Sequence, residues 1–363
     1  MTYLITCDKI KFLALKPSKG KNSFLNQPMN IKTLGILIIS FLYAATAYGQ
    51  DPVYSQYYNS PILINPSFAG NTRGALVSVT YRNQWPSIDN AYTTYSVTYD
   101  QRWNKSSGIG LYVTADDSGN GALKTTKLGS IYSYRIRVMD EMYIKGGLDV
   151  AYGQTRIDQS KLIFLDNLDP QFGSTTPGGI SFPTAELINP SPSKNYLDVS
   201  SGFLLYTPQF YGGISFKHMN TPNIDFIDDL TGEKGNLPLR WSFHGGTQIN
   251  LDRGNNGENG TFISPNVLFI KQNDFWQANV GAYVNVIQAF GGVWYRHSGS
   301  NSDSVIASVG GKSGIFKITY SFDYTVSGLS IGSGGSHEIS VVMNFDKLLP
   351  KESKYNDCLM LFR

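Results

Sequence analysis

Nucleophilic or metal chemistry could be supported by four histidines, His218, His244, His297 and His337, and by Cys358 near the end of the chain. A nucleophile needs a base within hydrogen-bond reach, and no GxSxG signature accompanies the histidines. A zinc site needs His and Cys at short spacing, whereas Cys358 is far from every histidine in the sequence. We therefore predict no catalytic residue and no metal site, and interpret the histidines as polar lumen or strand-end residues.

Two glycine-rich stretches could suggest phosphate or calcium binding. GSGGS at 332–336 is not followed by Lys-Ser or Lys-Thr, and no helix pattern begins there, so a phosphate loop is not indicated. DDSGNG at 116–121 lacks the ligand spacing of a calcium loop and fits a hairpin turn. The formal net charge of +3 is too small to indicate a nucleic-acid partner. We predict no cofactor and no enzymatic activity.

The elements that carry these residues are strands, as GIFKITYSFDYTVSGLS at 314–330 illustrates. Apolar residues at 316, 318, 320, 322 and 324 alternate with polar residues at 317, 319, 321, 323 and 325. A period of two predicts a strand with one apolar and one polar face. The apolar face meets a shared core in a soluble sandwich, but meets lipid in a membrane barrel. The composition, with 23 Tyr, 37 Gly and 16% charged residues, is typical of the barrel.

Similar alternation along the chain predicts about 14 antiparallel strands, with a margin of two because three runs alternate poorly. The predicted strands lie near 75–83, 92–103, 107–116, 122–138, 141–155, 196–206, 210–219, 237–251, 261–272, 275–287, 289–297, 303–313, 315–325 and 335–345. An even number is expected of a single-chain outer-membrane barrel.

The lengths of the connections give a second test of the barrel. If the N-terminus is periplasmic, the long connections 156–195, 220–236 and 326–334 are all extracellular, and the tight turns are periplasmic. One long connection, DRGNNGENG at 252–260, is the exception. A soluble sandwich has no reason to sort its connections in this way, so we predict a transmembrane β-barrel. The row of Ile318 then faces lipid and the row of Thr319 faces the lumen, where Thr319→Arg should be mild.

The regions outside the barrel are predicted from composition. Lys32, the apolar run 34–45 and the small residues before Gln50 indicate a signal peptide at 29–49, with 1–28 a mis-annotated extension before the true initiator. Residues 50–74, aromatic and rich in Asn and Pro, form a plug or a periplasmic lid. The barrel follows at 75–345, and 346–363 is a polar periplasmic tail.

Charged residues within the strands leave the state of the lumen open. The inward row is predicted to contain Arg82, Arg102, Arg135, Arg137, Lys145, Lys217, Arg240, Lys317, Asp100, Asp149 and Asp323. These charges fit an anion-selective pore, and they equally fit a lumen closed by ion pairs.

Three stretches carry a family resemblance: SQYYNSPILINPSFAG at 55–70, YRNQW at 81–85 and SGGSHEISV at 333–341. With GGISFKHMNTPN at 212–223 and GGVWYRH at 291–297, they resemble the PorP/SprF family of type IX secretion system membrane proteins of Bacteroidota. The matching positions, and so the candidate partner-contact residues, are Asn65, Pro66, Ala69, Gly70, Arg82, Gln84 and Trp85.

The resemblance implies a protein of the Gram-negative outer membrane, surrounded by its lipid, without catalytic residues. It implies a role in secretion or surface attachment of a large secreted protein, such as an adhesin, recognised through its C-terminal domain. Its partners would be that domain and other type IX secretion components. The alternative that the residues leave open is a porin-like channel for small solutes.

Overall fold

The computed structural model of the chain describes residues 51–88, 92–176, 178–180, 182, 193–226, 235–251, 260–299, 303–326, 332–349 and 358–362. The predicted extension at 1–28 and signal peptide at 29–49 lie outside this part of the chain and stay predictions. Most of the exceptional connection at 252–260 also lies outside it.

The chain forms β-strands joined by turns and a few short 3-10 helices. The strands are β1 Leu76–Gln84, β2 Tyr92–Arg102, β3 Ser107–Ser118, β4 Leu123–Met139, β5 Met142–Ile157, β6 Ser193–Tyr206, β7 Phe210–Lys217, β8 Arg240–Thr247, β9 Ile249–Asn250, β10 Phe262–Gln272, β11 Phe275–Val286, β12 Ala289–Ser298, β13 Ser304–Ser313, β14 Phe316–Thr325 and β15 Ser336–Asn344. The 3-10 helices are η1 Pro61–Leu63, η2 Pro66–Phe68, η3 Gln159–Lys161, η4 Leu165–Asn167, η5 Phe345–Leu348 and η6 Cys358–Phe362. None of the described helices is long and apolar enough to cross a bilayer.

All strands belong to one antiparallel sheet that closes on itself. Each strand pairs with its sequence neighbours, and β1 also pairs with β15, from Leu76 opposite Asn344 to Gln84 opposite Ser336. The two residues of β9 continue β8 beyond Gln248, and both segments pair with β10. The barrel therefore has 14 strands, which confirms the predicted fold class and strand number.

The two faces of the wall follow the predicted alternation. On β14, Ile318 is 55% exposed on the outer face, whereas Thr319 is fully buried on the inner face. Large apolar side chains such as Leu148, Val293 and Val309 are exposed on the outside of other strands. Since every backbone group of a closed barrel finds a partner within the wall, this apolar exterior suits lipid.

Connections of different length lie at opposite ends of the barrel. One end, here called the long-connection end, carries 158–192, 218–239 and 326–335 between consecutive strands. The other end, the tight-turn end, carries turns such as 140–141 and 314–315. The side of the membrane that each end faces stays a prediction.

Both chain ends that the structure describes lie inside the barrel. Residues 51–74, here called the N-terminal plug, include η1 and η2 and contribute Tyr58, Ile62 and Phe68 to the buried core. Residues 358–362, here called the tail, also join this core, although we expected 346–363 to be a polar periplasmic tail. The difference arises because the polar stretch KESKYND precedes an apolar one, CLMLF, which gains by burial.

Candidate functional site

The N-terminal plug runs the length of the lumen. Asp51 lies at the long-connection end, beside His218 after β7 and Arg240 at the start of β8. Gly74 lies at the tight-turn end, where its amide donates to Asp346 just after β15. The plug therefore contacts lumen-facing side chains at every level, and these contacts form the candidate site.

The first contact is a charge cluster around Asp51 at the long-connection end. One carboxylate oxygen lies 2.7 Å from His218 Nε2 and 3.3 Å from Arg240, and the other lies 3.3 Å from Lys127. The other ring nitrogen of His218 lies 2.8 Å from Asp198. His218 thus bridges a carboxylate of the plug and a carboxylate of the wall, which attaches the first described residue of the plug to β4, β6 and β8.

A second cluster, here called the Arg82 cluster, joins the plug to β1, β12, β14 and β15. The Arg82 guanidinium lies 3.0 Å from both Asp323 and Glu338, and Arg296 lies 2.9 Å from Asp323. The hydroxyl of Ser55 accepts hydrogen bonds of 2.7 Å from both arginines and donates to Asp323. Two arginines and two carboxylates balance in charge, as buried ionic groups must if they are to remain ionised.

The Arg82 cluster also binds the plug backbone. Glu338 accepts the amide protons of Ser55 at 2.8 Å and Gln56 at 2.9 Å. Farther along, the Asn59 side chain donates to Thr319, and the Tyr58 ring stacks on Trp294 with centroids 5.3 Å apart. The plug therefore contacts polar groups and aromatic rings of the wall that water would contact if the lumen were open.

Asn65 fixes the part of the plug that lies toward the tight-turn end. Its side-chain oxygen caps η2 by accepting the Ser67 amide at 2.9 Å. Its amide nitrogen lies 3.0 Å from the Phe203 carbonyl, 3.2 Å from the Ile214 carbonyl and 3.0 Å from His244 Nε2. One side chain thus fixes the turn of the plug at residues 65–70, here called the plug turn, and also attaches it to β6, β7 and β8.

The wall opposite this turn is made of glycines. A Cβ atom at Gly202 would overlap the Asn65 side chain, one at Gly147 would overlap the backbone of η2, and one at Gly108 would overlap the Ala69 carbonyl. Gly70 has φ +72°, a conformation that few other residues adopt without strain. The missing side chains let backbone approach backbone, and we refer to Gly108, Gly147 and Gly202 as the glycine seat.

Charged side chains of the wall hold the end of the plug turn. Lys145 donates to the Ala69 carbonyl, and the Ser133 hydroxyl donates to the same oxygen at 2.8 Å. The Gly70 amide donates to Asp100 at 2.8 Å. Inward charges predicted from the alternation thus have partners in the plug, as in the closed-lumen interpretation of these charges.

Four of the predicted site residues come together at the glycine seat: Asn65, Pro66, Ala69 and Gly70. All four are buried, and their contacts are with the barrel wall. A role in contacting a partner directly would require their displacement from the seat, so the observed contacts support the plug itself.

The other three predicted residues lie elsewhere. Arg82 is the centre of its cluster, and Gln84 accepts a hydrogen bond of 3.4 Å from it. Trp85 follows β1 with φ +60°, and its ring meets the edge of Tyr92 at 5.9 Å. The YRNQW stretch therefore divides between the lumen and the long-connection end.

Five charged residues of the site were predicted neither as site residues nor as inward charges: Asp51, Lys127, Asp198, Arg296 and Glu338. Arg296 and Glu338 occupy inward positions of their strands, so the period of two could have identified them. No pattern in the sequence marks Asp51, because its partners Lys127, His218 and Arg240 come from distant strands.

The contacts of the site bind the plug to the wall and close the lumen. Among the described residues, no group of three His, Cys, Asp or Glu side chains is placed to hold a metal ion. The charged groups of the Asp51 and Arg82 clusters pair with one another, whereas Lys145 and Asp100 bind main-chain groups of the plug.

The family described as "Type IX secretion system membrane protein PorP/SprF" matches residues 46–343. No protein of curated function matches the chain. Solved structures with a similar fold include the CymD monoaromatic hydrocarbon channel, with 11% identity, a TM-score of 0.44 and coverage of 78% of this chain and 90% of that one. Another is the outer membrane protein Omp33 of Acinetobacter baumannii, with 7% identity, a TM-score of 0.41 and coverage of 76% of this chain and 100% of that one. A third is a FadL homologue of Pseudomonas aeruginosa, with 13% identity, a TM-score of 0.40 and coverage of 79% of this chain and 94% of that one.

Proposed function

Because this chain belongs to the PorP/SprF family of type IX secretion system membrane proteins, an outer-membrane barrel family, we propose a specific role for it within that system. It assists the secretion and surface attachment of a large secreted protein, such as an adhesin, by binding that protein's C-terminal domain. It does so without enzymatic activity, together with other components of the secretion system.

The observation that carries this proposal is the filled lumen. The N-terminal plug is bound to the wall from Asp51 at one end to Gly74 at the other, and the Arg82 cluster binds it near the long-connection ends of β1, β14 and β15. When the interior of a barrel is occupied, partner proteins can still bind to the surfaces at its two ends. This supports a protein-binding function over the alternative of a small-solute channel.

The long-connection end offers a suitable surface. In the described part of the connection 158–192, exposed large apolar side chains include Leu162, Ile163, Leu168, Phe172 and Ile180. Exposed apolar groups concentrated in one connection are typical of protein interaction sites. Short 3-10 helices at η3 and η4 and a bridge between Asp169 and Gly173 give this connection local structure. We propose that it contacts the folded C-terminal domain of the secreted protein.

A pair of charged substitutions tests this surface. Ile163→Asp combined with Ile180→Asp should reduce the surface amount of one large secreted protein about tenfold or more, since truncating central apolar contacts weakens binding by that order. The secreted protein would accumulate in the cell or in the medium, as it would after deletion of the gene that encodes the barrel. Immunolabelling of intact cells and mass spectrometry of the medium measure both amounts.

The matched control is Ile287→Asp, a similarly exposed isoleucine in a tight turn at the opposite end. It should leave surface display unchanged. Normal display of every large secreted protein in the deletion strain, together with reduced solute permeability, would instead support the channel alternative.

A further inference from the structure

The tail occupies the tight-turn mouth of the barrel. The helix η6 buries Leu359, Leu361 and Phe362 almost completely. The Phe362 ring lies 4.7 Å from the Phe68 ring and 5.1 Å from the Tyr211 ring. Phe68 belongs to the N-terminal plug and Tyr211 to β7, so plug and wall together form an apolar slot for the tail.

Lys317 provides a polar contact between the slot and the main chain of the tail. Its ammonium donates to the Leu361 carbonyl at 3.1 Å and lies 5.4–5.7 Å from the ring centroids of Tyr58, Tyr283 and Phe290. Although Lys317 is buried, no described carboxylate forms an ion pair with it. A buried ammonium needs acceptors, and here a main-chain carbonyl and aromatic faces provide them.

The slot therefore recognises features that many peptides share. Apolar walls accept an aromatic and two aliphatic side chains, and Lys317 binds a backbone oxygen whatever the side chain beside it. The plug turn behind the slot is attached independently to the barrel wall, since Asn65 donates to the Phe203 carbonyl and Lys145 donates to the Ala69 carbonyl. The tail can leave the slot without removing any of those contacts.

We propose that the tight-turn mouth is a peptide-binding slot, occupied by the chain's own tail, in which an apolar, aromatic-bearing segment of a partner protein at this end replaces residues 358–362. The tail then serves as an intramolecular competitor. Because it is tethered, its effective concentration exceeds that of a free peptide, so exchange requires a partner that binds strongly or is held nearby.

Peptide binding to purified barrels in detergent tests the proposal. The probe is a fluorescent peptide with the sequence of residues 354–363 and Ser in place of Cys358, and the readout is fluorescence anisotropy. Phe362→Asp in the barrel undocks the tail and should raise the apparent affinity for the probe at least tenfold over that of the unaltered barrel. A probe carrying the same Phe362→Asp change should not bind.

A lysine pair provides the matched control. Adding Lys317→Met to the Phe362→Asp barrel should weaken probe binding at least tenfold. Adding Lys347→Met instead should not, because Lys347 is exposed at the same mouth and donates to the Gly314 carbonyl. Equal affinity of the probe for the unaltered and Phe362→Asp barrels would overturn the proposal, as would absence of binding to a Phe362→Asp barrel whose circular dichroism spectrum is unaltered.

A second measurement avoids substitutions in the slot. Cys358 is the sole cysteine after residue 50, so in a chain that begins at Gln50 a spin label there reports on the tail alone. Excess unlabelled peptide should increase the mobility of the label, whereas peptide with Phe362→Asp should not. Unchanged mobility at peptide concentrations that saturate the unaltered barrel in the anisotropy measurement would also overturn the proposal.

Discussion

Arg82→Gln should destabilise the barrel through the Arg82 cluster. Arg82 is 2% exposed and pairs at 3.0 Å with both Asp323 and Glu338. Its replacement leaves two buried carboxylates facing one remaining arginine, Arg296. Removing one partner of a buried ion pair costs about 3–5 kcal/mol, because the other charge is left uncompensated. Glu338→Gln should cost a similar amount for the opposite reason, since an arginine then lacks its carboxylate.

The double variant Arg82→Gln with Glu338→Gln restores charge balance and is the decisive comparison. Its loss of unfolding free energy should fall short of the sum of the two single losses by about 1–3 kcal/mol, the coupling expected of residues in one network. Urea unfolding of the barrel in lipid vesicles, followed by tryptophan fluorescence, measures all four proteins. Additive losses, or single losses below about 1 kcal/mol, would refute the view that these residues form one buried charge-balanced unit.

Three further predictions concern the outer face, the plug and the topology. Ile318→Arg should reduce the unfolding free energy by about 1–2 kcal/mol, between the cost of a charge at the bilayer midplane and that near the interface, because Ile318 is exposed on the outer face close to the start of β14; an unchanged urea midpoint would contradict lipid contact. Asn65→Ala should cost about 1–3 kcal/mol by removing the cap of η2 and leaving buried wall groups without a donor, whereas Asn195→Ala, exposed on β6, should cost almost nothing. In intact cells, antibodies should label an epitope inserted near Ser174 but not one near Asn256, and the reverse labelling would mean that the barrel is inverted.

The barrel wall could be predicted from the sequence because one rule determines it. The period of two places every second side chain on the same face, and closure requires only that each strand pair with its neighbours. The same rule identifies Thr319 as inward and Ile318 as outward, as observed. The family could be recognised as well, since its motifs are contiguous stretches of sequence.

The expectation that Thr319→Arg would be mild needs revision in view of the plug. Thr319 is fully buried, and its hydroxyl accepts a hydrogen bond from Asn59. An arginine at this position would have to displace the plug, and overpacking a filled interior typically costs about 1–3 kcal/mol. The alternation predicts which way a side chain points, but it carries no information about what the side chain meets.

The plug contacts could not be predicted because they join residues that are far apart in the sequence. Ser55 meets Glu338 across 283 residues, and Asn65 meets His244 across 179. The N-terminal plug has no period, so its sequence gives no register against the wall. The glycine seat is equally hidden, because a glycine within a strand can mark a bulge or a close approach, and only the partner distinguishes them.

Within the lumen, the binding of the tail depends on the plug, but the binding of the plug does not depend on the tail. Asn65 fixes the turn that presents Phe68, and Phe68 forms part of the slot that Phe362 fills. Displacing the plug turn would therefore remove one wall of the slot, whereas removing the tail would leave the plug turn attached to the glycine seat. This asymmetry makes the N-terminal plug the fixed element and the tail the exchangeable one. A partner at the tight-turn end could thus be bound and released while the middle of the lumen remains closed.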